Sequence, residues 1–164
     1  MSTQSVQVIV NGRHRSVDVE PRTLLSDALR EELGLLGLHS ACEQGVCGSC
    51  TVLIDGRSVR SCLTFAVQVA DAEVVTIEGV GSADVLHHVQ DALSRHHGLQ
   101  CGYCTPGVVL SAIELLDTLS EPTRNDVEEW MSGNLCRCTG YSGIINAICD
   151  VAQSRSEVAQ GDQS

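Results

Sequence analysis

Aromatic side chains and positive charge are both scarce in this sequence. Its 164 residues include one Phe, one Trp and two Tyr, at Phe65, Trp130, Tyr103 and Tyr141. A core with so few large rings calls for another staple. Lys and Arg total 10 against 21 Asp and Glu, a formal net charge of −11. Such a chain repels phosphate backbones and anionic lipid surfaces, which argues against a role in binding nucleic acid or anionic membranes. No apolar run approaches the roughly 18 residues of a spanning helix, so no membrane span is expected. The N-terminal residues show neither a basic n-region nor an apolar h-region, so no signal peptide is expected and the location reads as cytoplasmic. There is no Walker loop, no G-x-G-x-x-G, no flavin motif and no triad pattern, so no catalytic residue is assigned. Apolar residues still make up 43% of the chain. At this length roughly 70% of the unfolded surface can be buried, enough for a true core.

Cysteine is what the sequence has in excess. There are nine: Cys42, Cys47, Cys50, Cys62, Cys101, Cys104, Cys136, Cys138 and Cys149. An odd count fits a purely disulfide framework poorly. Grouped thiols in a reducing compartment point to metal ligation.

The first part of the chain reads as strands. Val6–Val10 runs into Asn11-Gly12, a two-residue hairpin signal, and a second strand follows from about Arg15 to Val19. Leu24, Leu25, Ala28, Leu29 and Leu33 then recur at helical spacing, with Gly34 as a C-cap. Thr51–Ile54, Asp55-Gly56 and Arg57–Ser61 form a second hairpin, and Val74–Ile77 a further strand. Residues 78–84 read as a linker. Four helices follow, over Val85–His97, Pro106–Leu119, Thr123–Met131 and Ser142–Gln153. Thr123 and Asp126 stand at capping-box spacing. The expected organisation is an α+β domain over residues 1–79, a helical domain over 80–153 and a polar, frayed tail over 154–164.

Cys42, Cys47 and Cys50 are separated by four residues and then two, the plant-type 2Fe-2S spacing. Eleven residues, almost all of them the second hairpin, separate Cys50 from Cys62. A hairpin returns the chain to within about 5 Å of its start, which delivers Cys62 beside Cys50. Zinc and inert core thiols are the alternatives. A four-cysteine zinc site pairs two close knuckles, and the second knuckle is missing here.

The second group is Cys101-x2-Cys104, thirty-one residues, then Cys136-x-Cys138. Alone it could hold zinc or an iron–sulfur cluster. Thr105-Pro106 and Thr139-Gly140 place both pairs at the starts of predicted helices, with Thr105 as N-cap and Pro106 at the first helical position. Helix N-termini favour the negative charge of thiolates. Cys149 fits neither quartet and lies in the apolar pattern of Ile144, Ile145 and Ile148, so it reads as a structural thiol. Adjacent positions on a helix diverge, so His87-His88 and His96-His97 read as surface residues.

The runs Ala41–Leu53, Gln100–Gly107 and Gly133–Tyr141 resemble the small iron–sulfur subunit of the molybdenum hydroxylases, the xanthine dehydrogenase, aldehyde oxidoreductase and carbon monoxide dehydrogenase family. The likeness covers roughly residues 5–153. Ala41 departs from the Gly often found there. The resemblance implies a plant-ferredoxin-like β-grasp domain followed by a four-helix-bundle domain, each with one 2Fe-2S cluster. Cys42, Cys47, Cys50 and Cys62 would hold the first, and Cys101, Cys104, Cys136 and Cys138 the second. By family position Gln100 and Cys138 would contact the pterin. It further implies a large molybdopterin subunit, with the cofactor in its cytosine dinucleotide form, and a medium FAD subunit, assembled as a dimer of heterotrimers. The chain would relay single electrons from molybdopterin to flavin without acting on substrate itself. A free-standing two-cluster ferredoxin and a zinc-stabilised interaction module are the competing readings. A subunit should expose apolar surface around Cys101–Gly107 and Gly133–Tyr141; a free ferredoxin should not.

Overall fold

The computed structural model describes residues 2–82 and 84–161. Ala83 of the expected linker and residues 162–164 of the expected tail lie outside the described residues.

Strands β1 (Gln4–Val10) and β2 (Arg13–Val19) form the first hairpin, with Val10 paired to Arg13. The turn needs positive φ at both positions, and Asn11 (51°) and Gly12 (71°) supply it. Strands β3 (Thr51–Ile54) and β4 (Arg57–Arg60) form the second hairpin around Asp55-Gly56 in the same way. Strand β5 (Glu73–Val75) joins the hairpins, parallel to β1 and antiparallel to β3. The five-stranded order is β2-β1-β5-β3-β4. A helix, α1 (Leu25–Asp27), widens into a π turn over Ala28–Glu32 and buries Leu25 and Leu29 with Val8, Val52 and Val74 of the sheet. This is the β-grasp arrangement expected from the resemblance.

Four helices follow: α2 (His88–Arg95), α3 (Thr105–Thr118), α4 (Arg124–Met131) and α5 (Ser142–Gly161). Their facing stripes share one core that includes Val89, Leu93, Val109, Leu115, Val127, Met131, Ile144 and Ile148. None of these core residues is aromatic. Helix α3 also packs on β3 and β4, so the helical half sits against the sheet.

Several boundaries differ from the sequence reading, each for a local reason. The strand expected over Val74–Ile77 ends at Val75, and Ile77–Gly79 forms a 3-10 turn. There the Asn11 side chain exchanges hydrogen bonds with Thr76, and Glu78 accepts from the Thr76 hydroxyl and the Gly37 N–H. Helix α2 starts at His88 and not Val85. The His87 ring accepts from the Val89 N–H, while Gln90 reaches back to the His87 N–H, a capping box that stops the helix there. Helix α5 continues past Gln153 because no breaker interrupts it before Gly161. Arg155 also ties it to the Leu116 carbonyl at 2.8 Å and to Asp117 at 3.0 Å. The N-cap of α3 is Cys104; Thr105 is the first helical residue.

Candidate metal centres

Each cysteine quartet resolves into a more buried pair and a more exposed pair. In the sheet half, Cys50 and Cys62 are buried, while Cys42 and Cys47 are half-buried. The hairpin does what its length predicts. Thr51 pairs with Arg60, and the N–H and hydroxyl of Ser61 both donate to the Cys50 carbonyl, which sets Cys62 against Cys50. Burial, and then a hydrogen bond that the Cys62 thiol gives to Cys50, pushes the Cys62 thiol up to about 11. The Cys42 sulfur instead accepts from the Cys47 N–H at 3.4 Å and the Gln44 N–H at 3.5 Å. Those N–H groups, Cys47 first, pull its thiol down to about 6. The loop reaches this shape through positive φ at Glu43, Gly45 and Gly48.

In the helical half, Cys136 is buried and Cys104 half-buried, while Cys101 and Cys138 are exposed. Burial and the neighbouring Cys136 push the Cys104 thiol up to about 12. At Cys136 burial acts upward, but the Thr139 hydroxyl and N–H and the Cys138 N–H outweigh it and hold the thiol below its ordinary value. The sulfurs of Cys101 and Cys138 lie 3.6 Å apart. Two thiolates on one tetrahedral centre, with bonds of about 2.3 Å, stand about 3.8 Å apart. Tyr141, at φ 67°, places its hydroxyl where the Cys136 N–H donates to it at 2.9 Å.

No two of the nine cysteines are joined in a disulfide. Two quartets, each split into pairs and partly supplied with N–H donors to sulfur, suit anionic iron–sulfur clusters. Among the described residues, no three His, Cys, Asp or Glu side chains meet around a point that would hold a single ion. Cys149 is half-buried against the helical core, and burial raises its thiol. The histidines have other partners: His87 caps α2, and His96 faces Asp150 at 3.3 Å. Gln100 is exposed, on the chain beside exposed Cys101.

Sequence reasoning missed the residues that join the two halves. Asn134 is buried and donates to the Gly48 carbonyl, and Arg60 reaches the Gly133 carbonyl. His39 stacks on Tyr103, whose hydroxyl donates to the Ser40 carbonyl at 2.7 Å. The position of Tyr103 between two cysteines was the one available signal.

Two family models cover nearly the whole chain. The 2Fe-2S iron-sulfur cluster binding domain matches residues 8–75, and the [2Fe-2S] binding domain matches residues 76–149. The nicotine 6-hydroxylase small subunit of Paenarthrobacter nicotinovorans is 50% identical over 145 residues, spanning 88% of this chain and 87% of that one. This chain belongs to the small iron–sulfur subunits of the molybdenum hydroxylases. Members of this family are 2Fe-2S electron-transfer components of oxidoreductase complexes and are not themselves catalytic on substrate. Quinoline 2-oxidoreductase from Pseudomonas putida 86 contains a chain that superposes with a TM-score of 0.91 at 49% identity, covering 96% of this chain and 98% of that one. The aldehyde oxidoreductase of Megalodesulfovibrio gigas is 48% identical over 148 residues, 88% of this chain but 16% of its own length. In that protein the homologous segment is one part of a much longer chain. Among the described residues, no helix is long and apolar enough to cross a membrane.

Proposed function

We propose that this subunit holds two 2Fe-2S clusters and relays single electrons from a molybdopterin centre in a large subunit to FAD in a medium subunit. The observation that carries this is the paired geometry: two thiol quartets, each with a more buried and a more exposed pair, in halves packed on one another. Cys42, Cys47, Cys50 and Cys62 are the ligands in the sheet domain, residues 1–79. Cys101, Cys104, Cys136 and Cys138 are the ligands in the helical domain, residues 80–153. A 2Fe-2S cluster takes up and releases one electron at a time, which splits a two-electron oxidation into steps. Cys50, Cys62 and Cys136 are buried, which limits water at one side of each site, and the N–H donors at Cys42 and Cys136 stabilise negative charge.

The exposed pair, Cys101 and Cys138, faces outward to a partner. Gln100, Cys101 and Cys138 form the edge proposed to meet the pterin, in its cytosine dinucleotide form. Val46 (60% exposed), Leu63 (61%), Leu135 (50%) and Tyr103 (44%) each adjoin a cysteine in the chain. Such apolar exposure favours a subunit over a free-standing ferredoxin. The assembly is proposed as a cytoplasmic dimer of heterotrimers. The relatives' names mention nicotine, caffeine, quinoline and aldehydes. N-heterocycles and aldehydes are therefore the proposed substrate classes of the complex.

The test is metal analysis with paired variants. Two clusters require about four irons and four labile sulfides per chain. Cys47→Ser is expected to abolish one EPR signal and Cys136→Ser the other. Stoichiometric zinc without labile sulfide would sink the assignment.

A further inference from the structure

Between the two thiol sets lies a seam that neither cysteine motif explains. The Leu135 N–H donates to the Cys47 carbonyl at 2.8 Å. Cys47 belongs to the first set, and Leu135 is followed directly by Cys136 of the second. One hydrogen bond and one intervening residue therefore join the sets. The backbones come this close because Gly107 lacks a side chain. A Cβ there would sit 2.2 Å from the Gly48 carbonyl oxygen.

Two side chains hold the seam, one from each half. Arg60, at the end of β4, donates to the Thr51 hydroxyl and, at 2.7 Å, to the Gly133 carbonyl. Its planar fork spans both acceptors at once, which a lysine cannot do. Asn134 is 3% exposed. Its amide donates to the Gly48 carbonyl at 3.3 Å, and its oxygen accepts from the Ser111 hydroxyl of α3 at 3.0 Å. A second bridge, His39–Tyr103, joins the halves beside Cys104, through side-chain contacts and not through a backbone–backbone hydrogen bond. Its rings stack at 4.6 Å, and His39 Nδ1 lies 2.8 Å from the Tyr103 carbonyl.

We propose that the Leu135–Cys47 contact is the electronic junction between the two clusters, and that Arg60 and Asn134 are the positioning residues that hold it. This rests on the two-cluster reading above. In the exchange one electron crosses, the oxidation of one set balancing the reduction of the other. No bond breaks and no proton moves. Tunnelling falls steeply with separation, so the shortest bonded route governs the coupling.

The experiment uses the purified full chain with its clusters. Iron content, the spin–spin splitting in the EPR of the fully reduced protein, and hydrogen exchange at the Leu135 amide are measured together. Arg60→Met keeps the packing stem and removes the fork. It should retain about four irons, lose most of the splitting, and exchange the Leu135 amide about tenfold faster, as loss of a charged donor implies. Arg60→Lys should fall between Met and wild type. Asn134→Ala should act in the same direction, and if it fails to fold, the Arg60 pair carries the test alone. Tyr103→Phe removes the hydroxyl bond to Ser40 from the second bridge and should leave the splitting unchanged. Retained iron with unchanged splitting and exchange in Arg60→Met would overturn the proposal, as would loss of the splitting in Tyr103→Phe instead. Iron missing from the wild type would overturn the two-cluster reading itself, before any variant is made.

Discussion

Replacing Gly107 with alanine sets two effects of opposite sign against each other. Gly107 lies in the first turn of α3, where alanine is favoured over glycine by up to about 1 kcal/mol. The new Cβ would meet the Gly48 carbonyl oxygen at 2.2 Å, with the Gly48 carbonyl carbon and the Asn134 amide nitrogen both at 3.2 Å. The close neighbour is backbone, held by the Asn134 side chain, so it cannot swing aside as a flexible side chain would. The helical half must move off the sheet half by about 1 Å, an overpacking cost of about 1–3 kcal/mol. That shift also stretches the Asn134–Gly48 and Leu135–Cys47 hydrogen bonds, costing about 1 kcal/mol more. The clash outweighs the helix gain, and the expected net loss is about 2 kcal/mol. At about 2–4 °C per kcal/mol for a chain of this size, the melting temperature should fall by about 4–8 °C. Scans of the cluster-loaded chain at one fixed heating rate would read this. A melting temperature unchanged or raised, as helix propensity alone requires, would refute the close-approach argument.

Cys149→Ser should leave both clusters intact and cost about 1 kcal/mol of packing, read by iron content and melting temperature. Loss of either EPR signal would contradict its assignment as a structural thiol. His87 carries a pH dependence of definite sign. Burial, then the neighbouring His88 and Arg155, hold its pKa below the ordinary value, and its ring must be neutral to accept from the Val89 N–H. The unfolded chain takes up a proton first, so stability should fall as pH drops below about 6.5 toward the folded pKa. His87→Asn keeps a capping side chain and should flatten that slope. Identical slopes for both proteins between about pH 7 and 5 would remove His87 from the account. Gln100→Ala should keep both clusters while weakening pterin retention or slowing reduction of the helical-domain cluster, the loss of an amide contact worth about 1–3 kcal/mol. Rapid-freeze EPR of the reconstituted complex reads this, and unchanged kinetics with unchanged cofactor content would exclude the contact.

Both hairpins and the helical half could be read from the chain alone because their determinants are local. Asn11-Gly12 and Asp55-Gly56 dictate turn geometry within two residues, and the apolar spacing of α5 shows which face that helix buries. The short gap from Cys50 to Cys62 could be decoded because a hairpin's return is a property of its own length. Boundaries slipped where a distant or unexpected partner intervened, as Asn11 does at Thr76 and Arg155 does for α5. The His87 cap was passed over because histidine rarely caps a helix. The division of each thiol quartet into buried and exposed pairs depended on how the loops pack, which spacing does not encode. Nothing in the sequence marks Arg60 as a partner of Gly133, or Gly107 as a neighbour of Gly48. Those contacts join residues far apart in the chain and exist only once the helical half has docked on the sheet. Sequence spacing determines which sulfurs can gather, because a metal's ligands must come from short flexible loops. Only the docked tertiary structure decides how closely the two gatherings approach, because that separation is a property of the packed interface between domains.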